Sequence, residues 1–143
     1  MTQLKFVKVD STGADLPKVV PPHIAVKDLA RGLMWGPTLD GKMDFDHAKK
    51  ACAECRLLDF SDWRLPTVEE LFLLADRTRT DPAIDTDLFP DTKSDYYWTA
   101  SPWASSPASC AWFVSFSSGG ASNLPHYYEA FVRPVRSLAA PGQ

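Results

Sequence analysis

Cysteine and histidine are the residue types in this chain best suited to nucleophilic or metal chemistry. Cys52 and Cys55 form one C-x-x-C pair, and Cys110 and three histidines are the remaining zinc-ligand types. A structural zinc site needs four ligands, so the pair lacks two. On a helix, a spacing of three puts both sulfurs near one face, where a buried cysteine packs as a small hydrophobe. The sequence favours core packing over metal or redox chemistry.

Nucleophilic catalysis has little support elsewhere in the chain. The sequence contains no G-x-S-x-G elbow, and its serines between Ser101 and Ser122 have loop composition with no obvious base. Cys110 and His126 could form a nucleophile and base pair, but their spacing does not require contact. We therefore predict no catalytic residue and no enzyme activity.

The acidic segment from Thr80 to Asp95 offers hard oxygen ligands of the kind that calcium prefers. Its carboxylates are Asp81, Asp85, Asp87, Asp91 and Asp95. The segment lacks the glycine and the terminal glutamate of an EF-hand loop. Aspartates near Pro82 and Pro90 also initiate turns. We expect a solvated loop without a metal or cofactor, and calcium binding is the alternative.

Two predicted irregular loops, 102–109 and 118–128, have the composition of a binding surface. Tyr, Trp, Ser and Asn combine large rigid rings with small hydrogen-bonding groups, as adaptable paratopes do. The predicted binding residues are Trp103, Ser105, Ser106, Ser122, Asn123, His126, Tyr127 and Tyr128. The competing interpretation puts the rings in the core and the small residues in turns. We expect Trp98 and Trp112, inside predicted strands, to be core.

The stretch from Asp62 to Leu71 specifies an extended segment, a turn and a helix start. Pro66 disfavours helix at the residue before it. Thr67 can cap a helix from Val68 to about Arg77, with Glu70 completing a capping box. We predict that Trp63 is buried. Arginines 64, 133 and 136 could form an anion site, but structural stacking and carbonyl contacts are favoured.

The remaining pattern predicts an α+β fold whose terminal strands pair. A first helix is expected from Phe45 to Leu58, with Asp44 as its N-cap. Alternating or aromatic-rich runs predict the strands. These are Leu4–Val9, Ile24–Leu29 and Gly32–Trp35 as a hairpin, Tyr96–Ser101, Cys110–Ser117 and Glu129–Arg136.

Size and composition indicate one globular domain, residues 1–143, with 45% hydrophobic and 23% charged residues. Residues 1–22 are expected to form a strand and an extended connection, and 138–143 a frayed tail. The net charge of −3 gives no reason to expect nucleic acid, and no apolar run suits a membrane span. Three cysteines and no apolar leader favour a cytoplasmic or virion-associated protein.

Five motifs occur in order along the chain: G-L-M-W at 32–35, D-W-R-L-P-T at 62–67, L-F-P at 88–90, Y-W-T-A-S at 97–101 and V-R-P-V-R at 132–136. Together they closely resemble the Lcl C-terminal domain family of bacteria and prophages. The resemblance implies a C-type-lectin-like fold, related to formylglycine-generating enzymes. In that fold two helices flank a mostly antiparallel sheet, and a long loop region displays a binding surface.

The chain departs from the catalytic and calcium-dependent relatives of that fold. It has neither the E-P-N or Q-P-D loop nor the W-N-D element of calcium-dependent lectins. No cysteine aligns with the pair of the formylglycine-generating enzymes. We therefore expect a non-catalytic recognition module, phage or prophage encoded, with a protein or glycan partner. The alternatives are an intracellular phage accessory protein that blocks a host defence protein, and a metal- or thiol-dependent enzyme.

Overall fold

Two antiparallel sheets and two short helices make up the part of the chain that the structure, a computed structural model, describes. The described residues are 6–16 and 24–138. The mixed α and β content agrees with the expected α+β class. The predicted residues Leu4, 17–22 and 139–143 lie outside the described ranges. The division into two sheets differs from the one sheet expected.

The larger sheet has the strand order β2-β1-β3-β4-β8. The predicted hairpin is confirmed, because β3 pairs antiparallel with β4. The prediction that the terminal strands pair is wrong: β8 pairs with β4, whereas β1 pairs with β2 and β3, although the first and last strands share this sheet. The strands are β1 Phe6–Val9, β2 Asp15–Leu16, β3 Ala25–Asp28, β4 Leu33–Trp35 and β8 Val135–Ser137.

The last strand is shorter than the predicted Glu129–Arg136. Residues before β8 make separate contacts, with bridges from Ala130 to Met43 and from Phe131 to Tyr97. Pro134 has no N–H, and its carbonyl accepts from the Gly36 amide at 2.9 Å. The chain here changes partners from residue to residue, so it forms no continuous ladder before Val135.

The smaller sheet has the order β5-β6-β7, with β5 Tyr96–Pro102, β6 Cys110–Ser115 and β7 Ala121–Pro125. The third strand corrects the prediction that 118–128 is an irregular loop. Gly119 adopts a φ of 92° in the turn after β6, which reverses the chain and lets β7 pair with β6. The small polar residues of β7 lie at a sheet edge, where no apolar alternation reveals a strand.

Helix α1, Phe45–Glu54, begins as predicted and ends four residues early. Asp44 caps it by accepting from the His47 amide at 2.9 Å. After the helix, Cys55 is extended, and a 3₁₀ turn follows at Leu57–Asp59. Leu58 has a φ of 57°, outside the helical region, so the helix cannot continue to that residue.

Helix α2, Val68–Phe72, has the predicted capping box. Thr67 Oγ1 accepts from the Glu70 amide at 3.2 Å, and Glu70 Oε1 accepts from the Thr67 amide at 2.9 Å. The helix stops five residues before the predicted end at Arg77. The Asp76 side chain bonds the amide and hydroxyl of Thr78, a local turn that competes with helix.

The core lies in two main layers. One cluster, which includes Trp35, Leu71, Tyr97 and Phe116, joins the five-stranded sheet, α2 and one face of the three-stranded sheet. The other joins α1 to the opposite face and includes Trp98, whose Nε1–H donates to the Met43 carbonyl at 2.8 Å. Trp98 is core, as predicted.

Trp112 is half-buried, contrary to the prediction that it is core. Its neighbours in the strand, Ala111 and Phe113, lie on the opposite sheet face and pack in the cluster beside α1. Val68 and Phe72 of the short helix α2 lie on the sheet face that carries Trp112. Trp112 therefore borders a groove beside α2 and belongs to neither main core cluster.

Candidate functional site

The loop after β5 and the turn after β7 meet at one end of the three-stranded sheet. The His126 amide donates to the Ser109 carbonyl at 2.8 Å, which ties the two segments together. The loop is closed internally, since the Trp103 amide donates to the Cys110 carbonyl at 3.0 Å. We call Trp103, Ser105, Ser106, Tyr127 and Tyr128 the sheet-end surface.

Two tyrosines project most strongly from this surface. The side chains of Tyr127 and Tyr128 are 78% and 50% exposed, and their ring centroids lie 5.2 Å apart. The turn that carries them is held by the Tyr128 amide, which donates to the Pro125 carbonyl at 3.1 Å. A pair of exposed rings on a backbone fixed to a sheet is a preorganised apolar contact area with hydroxyl groups at its edge.

Trp103 is half-buried and serves partly as scaffold. Its ring meets Trp112 edge-on, with centroids 4.7 Å apart and an interplanar angle of 60°. Asn123 lies opposite Trp112 in the β6–β7 register, on the same sheet face. Asn123 therefore borders the Trp103–Trp112 pair, and Trp103 is the member of that pair that belongs to the sheet-end surface.

His126 and Ser122 are placed away from the surface that the sequence assigns to them. The His126 ring stacks on Phe45 at 4.2 Å, and its carbonyl accepts from the Phe45 amide at 3.0 Å. His126 thus supports the start of α1. Ser122 is exposed but pairs with Phe113, so it lies on the opposite face of β7 from Asn123. Ser105 and Ser106 are exposed in the 103–109 loop, as expected.

Cys52 and Cys55 are neighbours at the end of α1, whereas Cys110 lies in β6, and Cys52 is chemically protected. Cys52 is buried, and burial raises the pKa of its thiol to about 12, with a smaller contribution from Cys55. Cys55 is half-buried at the end of α1, and Cys110 opens β6. Within 6–16 and 24–138, no three His, Cys, Asp or Glu side chains cluster as a metal site would require.

The carboxylates of the acidic segment are bound by the protein itself. Asp81 accepts from the Ser94 hydroxyl at 2.6 Å, and Asp85 accepts from the Asp87 amide at 2.9 Å. Asp95 pairs with Lys42 at 2.7 Å, and Asp87 pairs with Lys8 at 3.3 Å. Asp91 pairs with Arg133 at 3.0 Å. These bonds order the loop and point the oxygens to different partners.

The three arginines make structural contacts. Arg64 forms a two-pronged pair with Glu70, at 2.8 and 2.9 Å. Arg136 pairs with Asp62 at 2.7 Å and lies over the Phe60 ring at 3.5 Å. Arg133 is buried and bonds Gly36, Thr38, Asp91 and Thr92.

Sequence reasoning missed an apolar groove between α2 and the three-stranded sheet. Val68, Phe72, Trp112 and Ala121 line it. The exposed Phe72 ring is covered on one side by the Arg77 guanidinium, 4.0 Å from its centroid. A signal was available, because Val68, Leu71 and Phe72 follow one another at helical spacing as an apolar stripe. The end of α2 at Phe72 had no such signal.

The fold therefore defines an α+β protein with a rigid two-sheet scaffold and an aromatic, hydroxyl-rich end. No helix within the described ranges has the length and apolarity to cross a membrane. The family model of the Lcl C-terminal domain matches residues 24–136. The chain belongs to the Lcl C-terminal domain family. A search of curated proteins finds no match to it.

Proposed function

We propose that this protein is a non-catalytic recognition module that binds a protein or glycan partner through the sheet-end surface. The observation that carries the proposal is the pair Tyr127 and Tyr128, exposed side by side on a turn anchored to the sheet. Tyrosine offers a large contact area for little rotamer entropy, and its hydroxyl bonds polar groups of protein or sugar. Ser105 and Ser106, exposed in the loop at the same end of the sheet, supply short hydrogen-bonding groups.

The contribution of each predicted residue is unequal in this proposal. Tyr127 and Tyr128 are free to contact a partner, whereas Trp103 is half-buried against Trp112. A Trp103 substitution therefore disturbs scaffold and binding together. Asn123 contributes at the border of the surface. His126 and Ser122 are left out, because one supports α1 and the other lies on the far face of β7.

The proposal includes a C-type-lectin-like scaffold with two flanking helices. The return of β8 to β4 and the irregular segment between α2 and β5 support it. It also includes a phage or prophage source, with a location in the host cytoplasm or the virion. The family resemblance supports the phage or prophage source. The proposed partners of this protein include neither nucleic acid nor a membrane.

The test compares Y127A/Y128A with the wild type in binding to a glycan array and to proteins of a bacterial host lysate. Removing two exposed rings should lower partner retention at least about 30-fold, since interface aromatics dominate binding energy. The melting temperature should stay nearly unchanged, because neither ring packs in the core. A stable complex with one host protein would favour the accessory-inhibitor version, and a glycan hit the adhesin-like version.

Tyr96→Ala is the matched control. Tyr96 is also exposed, but it opens β5 at the opposite end of the same sheet. Its ring stacks on Phe113 at 4.1 Å, so its loss should cost stability without changing partner retention. Retention that is unaffected in Y127A/Y128A would show that the sheet-end surface is not the binding site.

A further inference from the structure

Two buried N–H groups beside one cavity have no hydrogen-bond partner among the described residues. They are the indole Nε1–H of Trp35 and the guanidinium Nε–H of Arg133. The two residues are 1% and 2% exposed, and both line the cavity. A buried donor without a partner destabilises the fold, and native proteins pair nearly all such groups.

Among the described residues one other buried side-chain nitrogen, His126 Nε2, also lacks a partner, but His126 does not line this cavity. Trp63 and Trp98 are also buried, and their Nε1–H groups donate to carbonyls at 3.0 and 2.8 Å. The other two nitrogens of Arg133 are occupied by the Gly36 carbonyl, Asp91 and two threonine hydroxyls. Those bonds fix the guanidinium plane. The unpaired Nε–H is therefore held in place rather than free to turn toward another acceptor.

The cavity has the size and walls of a small-molecule site. Its volume is about 300 Å³, at the lower end for ligand pockets. It lies between β3, β4 and the segment 88–91, with Val26, Leu57, Leu88 and Phe89 among its apolar walls. Such walls favour a ligand with an apolar body, and the two N–H donors require an acceptor oxygen on that ligand.

The charge balance favours a neutral acceptor. Asp91 also lines the cavity and pairs with Arg133 at 3.0 Å. Burial raises the pKa of Asp91, but the Arg133 charge and hydrogen bonds outweigh it and lower the pKa overall. The carboxylate therefore stays ionised and already neutralises the guanidinium. A second anion would be repelled by Asp91, whereas a carbonyl oxygen would not.

We propose that this cavity binds a small apolar molecule that presents a neutral carbonyl oxygen to Trp35 Nε1–H and Arg133 Nε–H. The site shares no residue with the sheet-end surface. It is a second binding site, and it stands or falls independently of the recognition function.

Three probes of similar size test the chemistry on the wild-type protein. Acetophenone has a ring and a carbonyl, ethylbenzene lacks the oxygen, and benzoate carries a charge. ¹H–¹⁵N NMR follows the indole and guanidinium N–H signals during titration, and the signal absent in W35F identifies Trp35. We expect saturable shifts of the Trp35 and Arg133 signals with acetophenone. Its affinity should exceed that of ethylbenzene and of benzoate at least about 10-fold, the factor equivalent to one net hydrogen bond.

Trp35→Phe keeps the ring and removes one donor, so it should weaken acetophenone binding about 3- to 10-fold and leave ethylbenzene unchanged. Trp103→Phe, a tryptophan outside the cavity, should change neither. The comparison of the three probes on the wild-type protein tests the proposal even if W35F does not fold. Equal affinity for acetophenone and ethylbenzene, stronger binding of benzoate, or no saturable shift would overturn the proposal, because the donors would then bind water only.

Discussion

Trp63 shows how one side chain can connect local signals to the core. It is 3% exposed, and its Nε1–H donates to the Leu57 carbonyl at 3.0 Å. Its ring packs with Val9, Ala25 and Met34 of the five-stranded sheet. The indole therefore joins the turn after α1 to that sheet by both packing and a hydrogen bond.

Trp63→Ala should lower the free energy of unfolding by about 3–5 kcal/mol, because it removes a large buried ring and leaves a cavity. Urea denaturation followed by circular dichroism measures this loss. Trp63→Phe separates the causes, since it keeps most of the packing and deletes the N–H donor. A loss below about 1 kcal/mol for Trp63→Ala would contradict the buried position.

At the scale of elements, the stretch 62–71 links the two sheets. The Arg64 amide and carbonyl bridge to Val135 in β8, both at 2.9 Å. A few residues on, the Pro66 carbonyl accepts from the Ala100 amide in β5 at 2.7 Å, and the Val68 amide donates to Ser101 Oγ at 2.9 Å. The capping box of Thr67 and Glu70 starts α2 directly after these bridges.

Glu70 makes the stability of this joint depend on pH. Burial would raise the pKa of Glu70, but bonds from Arg64 and the Thr67 amide lower it overall. A carboxylate with a lowered folded pKa stabilises the fold above its unfolded pKa, about 4.3, and that contribution is lost as pH falls through the folded value.

Glu70→Gln should lower the free energy of unfolding at pH 7 by about 1–2 kcal/mol, because the charged bonds to Arg64 are lost. The difference from wild type should shrink as pH falls below about 4. Denaturation curves at pH 7, 5 and 3.5 measure it. Glu69→Gln, exposed in the same turn, is the control and should have little effect. A difference that stays constant from pH 7 to 3.5 would refute the charge argument.

At the scale of the whole molecule, Arg133 connects segments that are distant in sequence. Its guanidinium bonds the Gly36 carbonyl and Thr38 on one side and Asp91 and Thr92 on the other. It lies over the Phe89 ring, 4.9 Å from the centroid. The planar fork suits this role, because it reaches several acceptors at fixed angles.

Arg133→Ala should destabilise the protein by about 2–4 kcal/mol, since it removes a buried guanidinium and its bonds to Gly36, Asp91 and two threonines. Thermal denaturation measures the loss. As a comparison, Lys27→Ala removes an ion pair with Asp15. That pair is 2.8 Å long and more exposed than the Arg133–Asp91 pair, so its loss should cost about 1 kcal/mol or less. Similar losses in the two variants would show that Arg133 does not hold the fold together.

Local signals determined the features of this protein that depend on neighbouring residues. The Asp44 cap, the Thr67–Glu70 capping box and the hairpin of β3 and β4 were all predictable, because each rests on side chains within a few positions of one another. The five ordered motifs identified the family before any fold was known. The structural use of the arginines also followed from their setting among aromatic residues.

Tertiary contacts decided the rest. The strand β7 forms because β6 supplies its partner, and the turn at Asp76, which follows α2, closes through an Asp76 amide that donates to the Ala83 carbonyl at 2.7 Å. The same contacts sorted the predicted binding residues, leaving Tyr127 exposed, stacking His126 on Phe45 and packing Trp103 on Trp112. The unpaired donors of Trp35 and Arg133 had no sequence signal, because a missing partner is a property of the assembled surroundings rather than of residue type.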